Sequence, residues 1–414
     1  MRWISVLILA VSALQAQEHW VTTWATAQNL VRVVRPTPAV LPPQPAGPAT
    51  TPQAVGRGLN NQTVRMMVRT SIAGRRLRIR VSNNFGGTPL VVGTAHVAIR
   101  AKDSGIVPDS DRALTFNGKP GCTIAPGAVM FSDPVDLNVP PVTDLAVSLY
   151  FPGETGPPTT HSTGLHNTYI SKEGDATAQA VIAEPVTTQS YYWLAGVDVA
   201  AAPDAATLVT FGDSITDGAR STSETDHSWP ALLAARLAAN KKTAHIGVAN
   251  VGIGGNRVMR DGAGANALAR FDRDVLSQPG VKWVTVMEGI NDIGHTATPP
   301  VDPVTSDEII GIYKQLIGQA HAHGVQVIGC TLTPYEGAGY YSAEGEAMRV
   351  AVNTWIRTSG AFDAVVDFEA ATRDASNPKR IRAEFDPGDH LHPNDAGYQA
   401  MADAFDLGIL TKKK

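Results

Sequence analysis

The feature that most constrains this 414-residue chain is a change in the period of its hydrophobic pattern near residue 205. From Gln62 to about Val199 apolar and polar residues alternate, the signature of half-buried strands. Thr63–Thr70, Arg76–Val81, Val91–Ile99, Asp144–Phe151 and Tyr191–Val199 all read this way. In Arg76–Val81 the residues Leu77, Ile79 and Val81 share one face, and Arg76, Arg78 and Arg80 share the other, read as a solvated sheet face rather than a site for anionic sugar. Short strands separated by turns such as Asn84-Phe-Gly-Gly87 predict a β-sandwich. Beyond residue 205 strands alternate with helices. Ala206–Phe211, Ile246–Val251, Val281–Met287, Val325–Leu332 and Ala364–Phe368 are strand-like. Ser228 begins a helix carrying Leu232, Leu233 and Leu237. Thr305 and Glu308 form a capping box ahead of another, 343–357 is a third, and Asn394 opens a fourth, carrying Tyr398, Met401, Ala402 and Phe405. That alternation predicts a parallel α/β sheet, whose ligands bind beyond the carboxyl ends of its strands.

The predicted organisation is a signal peptide at 1–16, a β-sandwich-like domain at 17–203 and a catalytic α/β domain at 204–414. Arg2 followed by the apolar run Ile4–Leu14, with Ala13 and Ala16 as small residues at the cleavage region, reads as an export signal too short to span a bilayer. The expected location is therefore secreted or periplasmic. Residues 35–55 hold seven prolines, at 36, 38, 42, 43, 45, 48 and 52, and are expected to form an extended loop. Lys plus Arg number 34 against 38 Asp plus Glu, a net charge of −4, which provides no basic footprint for nucleic acid and no polybasic membrane patch. With only Cys122 and Cys330, the chain is neither a disulfide scaffold nor a multi-thiolate metal protein, and Cys330 is expected to be a buried free thiol.

The residues able to do chemistry collect at predicted strand ends. Ser214 follows the first α/β strand directly, in Phe211-Gly-Asp-Ser-Ile-Thr-Asp-Gly218, where a hydroxyl is either a nucleophile awaiting a base or a turn serine. His392 stands in the loop before the last helix, with Asp389 three residues earlier, close enough to orient its ring. The same loop also offers Asp386 and His390, a metal-ligand pattern less attractive for lack of a partner cluster elsewhere. The glycines of Asn250-Val-Gly-Ile-Gly-Gly255-Asn256 let backbone N–H groups approach a ligand, and Asn291 after the third strand supplies an uncharged side-chain donor. The run lacks the last glycine of a dinucleotide fingerprint.

Gly212-Asp213-Ser214, Gly255, Gly289-Ile-Asn291-Asp292 and Asp389-x-x-His392 occur in the order and spacing of the SGNH (GDSL-type) hydrolases. The chain resembles that family over some 180 residues, and 17–203 resembles the β-domain preceding it in secreted bacterial two-domain members. The resemblance implies a three-layer α/β/α fold and ester hydrolysis. Ser214 would be the nucleophile, His392 the base and Asp389 its orienter. Ser214 N–H, Gly255 N–H and the Asn291 amide would form the oxyanion hole. No metal or cofactor is implied.

Asp213, His295, Tyr335 and Tyr340 are candidate substrate contacts. The aromatic run Tyr335–Tyr341 should overhang the same sheet edge, and His161 and His166 are side chains of the β-rich part able to reach such a cleft. The expected reaction is hydrolysis of short acyl, chiefly acetyl, esters on a small molecule or an extracellular polysaccharide. The alternatives are a lysophospholipase or lipase of the same family, a carbohydrate-binding protein with an inert hydrolase domain and, from the 252–255 glycines, a nucleotide-binding protein.

Overall fold

The computed structural model describes residues 18–30, 56, 58–296 and 303–412. The proposed signal peptide and the proline-rich 35–55 lie outside them. The alternating segments form two facing antiparallel sheets. β1 (Trp20–Ala25), β3 (Gly74–Ser82) and β5 (Leu194–Ala200) run in one, ordered β1-β5-β3. β2 (Gln62–Arg69) and β4 (Asp144–Phe151) pair in the other. Leu77, Ile79 and Val81 are fully buried against Val64, Met66, Val68 and Val147, the face that the alternation assigned to the core. Burial at this level is worth roughly 1.5–3 kcal/mol per large aliphatic side chain.

The arginine face differs from expectation. Arg80 is only 5% exposed. Its Nη2 donates to Gln278 Oε1 at 2.6 Å and lies 3.3 Å from the buried Asp198 carboxylate. Arg78 lies over the rings of Trp20 and Phe131, and Arg76 pairs with Glu18 and Asp136. Part of this sheet face is thus a contact with the α/β part, for which a period-two pattern looks the same as for a wet face. Two predicted strands are also broken. Gly93 splits Leu90–Val92 from Thr94–Ile99, and Trp193, at φ 56°, separates Tyr191–Tyr192 from β5.

The second half builds a parallel five-stranded sheet. Its strands are β6 (Ala206–Gly212), β7 (Ile246–Asn250), β8 (Val281–Met287), β9 (Gln326–Cys330) and β10 (Ala364–Val366), in the order β7-β6-β8-β9-β10. β10 is shorter than predicted because Asp367 turns to cap the following helix, accepting from Ala370 N. The helices include the single turn α1 (Ser214–Asp217), then α2 (Trp229–Ala239), α3 (Ile290–His295), α4 (Ser306–Ala322), α5 (Ala343–Thr358) and α6 (Asp395–Ala404). The chain steps one way from β6 to β7 and the other way thereafter. Right-handed crossovers therefore place α2 with α6 on one face and α4 with α5 on the other. The Thr305–Glu308 capping box forms as predicted. Cys122 and Cys330 are both free thiols, and Cys330 is buried. Among the described residues no helix is long and apolar enough to cross a membrane.

β1 joins the two halves. Besides pairing with β5 it lies along β7 and β6. Thr22 N donates to Pro279 O and Thr207 Oγ1, while Ser71 Oγ, hydrogen-bonded to Thr23 O, accepts from Val248 N. Gly247 has no room for a side chain there, since a Cβ would stand 2.5 Å from Thr22 O.

Candidate active site

Ser214 owes its position to the abrupt end of β6. Every residue of that strand is buried, and Gly212 closes it under a ceiling formed by Thr216 Oγ1 and Met287 O. Asp213 caps the next turn, its Oδ1 accepting from Ile215 N at 3.0 Å, and Gly218 ends it at φ 105°. Ser214 therefore sits at the first position of a one-turn helix on the carboxyl edge of the sheet, 8% exposed.

The loop before α6 brings the imidazole to it. Ser214 Oγ and His392 Nε2 are 2.8 Å apart, and His392 Nδ1 is 2.9 Å from Asp389 Oδ2. Asp389 Oδ1 accepts from the His392 and Leu391 backbone N–H groups. Burial alone would raise this carboxyl. The backbone hydrogen bond from His392, those from its ring and from Leu391, and the charge of the imidazole outweigh burial and hold it well below the usual carboxylate range. Asp386 braces the same loop, accepting from Gly388 N and His390 N and pairing with the His390 ring. Gly337 admits that ring, for a Cβ there would lie 2.9 Å from it. Among the described residues no group of three or more His, Cys, Asp or Glu side chains is arranged to hold a metal ion.

The glycine loop after β7 closes the other side. Ile253 N bonds to Gly212 O at 3.0 Å, and a Cβ on Gly254 would stand 3.9 Å from Ser214 Cβ. Gly254 N–H is already engaged, donating to Asp217 Oδ2 at 2.9 Å. Gly255 N–H and Ser214 N–H have no acceptor among the described residues. This distinguishes Gly255 from Gly254 as the amide free for a ligand. Asn291, 6% exposed at the start of α3, donates from Nδ2 to Asn256 O at 2.9 Å, and its Oδ1 receives the Tyr340 hydroxyl at 3.3 Å. Fixed at both ends, the amide keeps one N–H uncommitted.

The four other sequence candidates separate. Asp213 and Tyr335 are fully buried, which removes them as substrate contacts. Tyr335 packs edge-on against Tyr341, and its role is in the core. His295 and Tyr340 remain partly exposed with ring centroids 6.3 Å apart, and Tyr340 lies on Gly294, where a Cβ would come within 2.4 Å of its ring. Under the site, Arg270 is fully buried, bonding to Asn256 Oδ1, Val251 O, Gly212 O and Glu288 Oε1. It thereby ties the ends of three strands together. Desolvation pushes Asp213 up to about 7 and Asp292 to about 6 in this crowded acidic layer. The sequence names His161 as able to reach the cleft but shows neither its pairing with Asp217 at 2.9 Å nor Arg220, whose Nε is 2.9 Å from Asp389 Oδ2. His161 and Asp217 are 56 residues apart, one on a short strand of the β-rich part and the other closing α1, so no local spacing marks them.

A doubly wound parallel sheet with a serine, an imidazole and a carboxylate linked in series at its carboxyl edge has the architecture of a hydrolase. Residues 210–400 match the model of the GDSL-like lipase/acylhydrolase family, so this part of the chain carries a GDSL-like lipase/acylhydrolase domain. Solved structures similar to the chain include a catalytic mutant of Axe2, an acetylxylan esterase from Geobacillus stearothermophilus, at 26% identity (48% of this chain, 91% of that one, TM-score 0.38). The acetyl xylan esterase AlAXEase is 23% identical (48% and 96%, TM-score 0.39). A GDSL-like lipase from Bacteroides thetaiotaomicron is 18% identical (49% and 87%, TM-score 0.35). No curated protein matches the chain.

Proposed function

We propose that the protein is a serine-dependent carboxylic ester hydrolase acting through an acyl-enzyme on short acyl, chiefly acetyl, esters. The carrying observation is the continuous link Ser214 Oγ–His392–Asp389 beside two uncommitted backbone amides and the Asn291 amide. His392 Nε2 takes the serine proton as Oγ attacks the ester carbonyl, and Asp389 stabilises the imidazolium. The N–H groups of Ser214, Gly255 and Asn291 receive the oxyanion. His392 then protonates the leaving alcohol, and water, activated by the same imidazole, releases the acid.

Short acyl groups are supported by the character of the rim. The large hydrophobic side chains exposed on the described surface are Val91, Val107, Val129, Phe131, Val181, Val186, Val350 and Val365, none of them in the loops around Ser214. Among the described residues a lipase or lysophospholipase reading finds no apolar landing surface of the kind that long chains require. A binding protein with an inert hydrolase part gains nothing from a serine hydrogen-bonded to an oriented imidazole. The apolar run read from the sequence as an export signal and the exposed Arg220 guanidinium beside Asp389 favour an alcohol displayed on extracellular carbohydrate. On this reading 17–203 is a β-sandwich-like domain and 204–414 the catalytic domain.

The test is fluorophosphonate labelling followed by peptide mapping, run beside a panel of p-nitrophenyl esters of increasing chain length. The reading expects a single adduct on Ser214, no hydrolysis by Ser214→Ala, and turnover that falls as the acyl chain lengthens. Full activity in Ser214→Ala would refute it.

A further inference from the structure

One chain of contacts runs from the β-rich part into the glycine loop. His161, on the short strand Thr160–His161, is 3% exposed. The strand pairs with Tyr191–Tyr192, and the Tyr191 ring stacks on the imidazole with centroids 6.3 Å apart. Tyr191 is itself fixed by an edge contact with Trp24 and by its hydroxyl, which donates to Gly164 O at 2.9 Å. So held, His161 Nε2 meets Asp217 Oδ1 at 2.9 Å. The second oxygen of that carboxylate, Asp217 Oδ2, receives Gly254 N–H at 2.9 Å. Asp217 is the last residue of α1, the turn that begins with Ser214, and Asn250 Nδ2 fastens the same turn through Thr216 O. The next amide after Gly254 belongs to Gly255.

We propose that His161, a residue of the β-rich part, is a positioning residue for the oxyanion loop: by fixing one oxygen of Asp217 it aims the other at Gly254 N–H and so orients the Gly255 amide beside Ser214. Gly255 stands at φ 74° between two anchored neighbours: Gly254 N–H is held by Asp217, and Asn256 by Arg270 and Asn291. An amide that must meet a transient negative charge loses much of its effect when displaced, since a misplacement of about 1 Å costs on the order of 10²-fold in rate. Burial pushes His161 toward the neutral form, but the charge and hydrogen bond of Asp217 outweigh it and raise its pKa, which strengthens the pair. The β-rich part thereby acts on the chemical step itself, whatever it does for substrate capture. The inference rests on the acyl-enzyme reading and extends it to a residue outside the hydrolase fold.

The experiment uses the full chain and p-nitrophenyl acetate, a substrate too small to need recruitment. His161→Ala is expected to lower kcat by about tenfold or more with KM within about twofold, the pattern of a contact that matters in the transition state. His161→Gln, whose amide can donate from near the Nε2 position, is expected to recover most of that loss. A folded His161→Ala with wild-type kcat would overturn the proposal, as would a loss that His161→Gln shares in full. Should His161→Ala fail to fold, Asp217→Ala carries the test. Its methyl offers no acceptor to either His161 or Gly254 N–H, so kcat should fall by the same order, and unchanged kcat would overturn the proposal. Ser214→Ala is run in parallel. If it stays active, the underlying serine mechanism fails and the inference falls with it; if it is inactive, the His161 and Asp217 variants judge the inference alone.

Discussion

Arg220 Nε and His392 Nδ1 share one acceptor, Asp389 Oδ2, each at 2.9 Å. The arginine draws on the negative charge that stabilises the imidazolium. Removing it leaves the carboxylate wholly to His392 and makes the protonated ring easier to form. Arg220→Ala should therefore move the acid limb of the kcat/KM profile to higher pH. The arginine is mostly exposed, so the displacement should be only a few tenths of a pH unit. Profiles recorded at low salt would check it, and a shift toward lower pH would contradict the sign. Asp389 itself stays ionised across this range.

Asn291→Ala should reduce kcat by roughly 10²–10³ with little change in KM, the cost of losing one oxyanion donor. Tyr340→Phe removes the hydroxyl that holds Asn291 Oδ1 while leaving the ring on Gly294. A smaller loss in kcat, about tenfold or less, is expected. Steady-state kinetics on one short ester would separate the two, and a pure KM effect in either would assign it to ground-state binding.

The buried Asp213 carboxyl, pushed up to about 7 by desolvation first and by the nearby Asp292 charge, keeps a proton that the unfolded chain releases near its ordinary value of about 4. Between those two values folding stability must fall as pH rises, by about 1.4 kcal/mol for each unit of separation in the ideal case. Asp213→Asn retains an acceptor for Ile215 N and abolishes the titration. Urea unfolding at about pH 5 and about pH 8 should show a smaller loss of stability in the variant than in the wild type. Asp292, pushed to about 6, contributes a residual slope of the same sign.

Gly212→Ala tests the ceiling over Ser214. The added methyl would stand 2.1 Å from Thr216 Oγ1 and 2.6 Å from the Met287 carbonyl, and backbone cannot yield as a long side chain does. The expected cost is about 1–3 kcal/mol or more, with activity reduced because the strain falls on the turn that carries the serine. Thermal unfolding and ester turnover, measured on the same preparation, would establish both.

The parts of this molecule legible in sequence are those written locally. The alternation in Arg76–Val81 placed Leu77, Ile79 and Val81 correctly in the core, and Thr305 with Glu308 marked a helix start, because partner and signal lie within a few residues. Ser214 and the Asp389–His392 pair stood out for the same reason, and the structure brings them within hydrogen-bond distance. What stayed hidden depends on residues distant in the chain. Arg80 alternates as a wet residue would, and its buried partners Asp198 and Gln278 lie far along the chain, the second 198 positions later. Tyr335 looks like an aromatic on an open loop until its neighbours close over it. Spacing does not show which glycine amide is already engaged, since that follows from Asp217.

β1 is synthesised at the start of the described chain, yet its ladder partner Leu194–Ala200 follows some 170 residues later, and its hydrogen bonds to Thr207 and Pro279 come later still. Closing so long a loop brings an entropic penalty before any contact repays it. During translation the first strand must wait, edge exposed, until nearly half the polypeptide has emerged, and the seam between the two halves can be sewn only when both exist. Docking of β1 thus falls late in folding, and a nascent chain halted before Ala200 would hold that strand without its ladder partner.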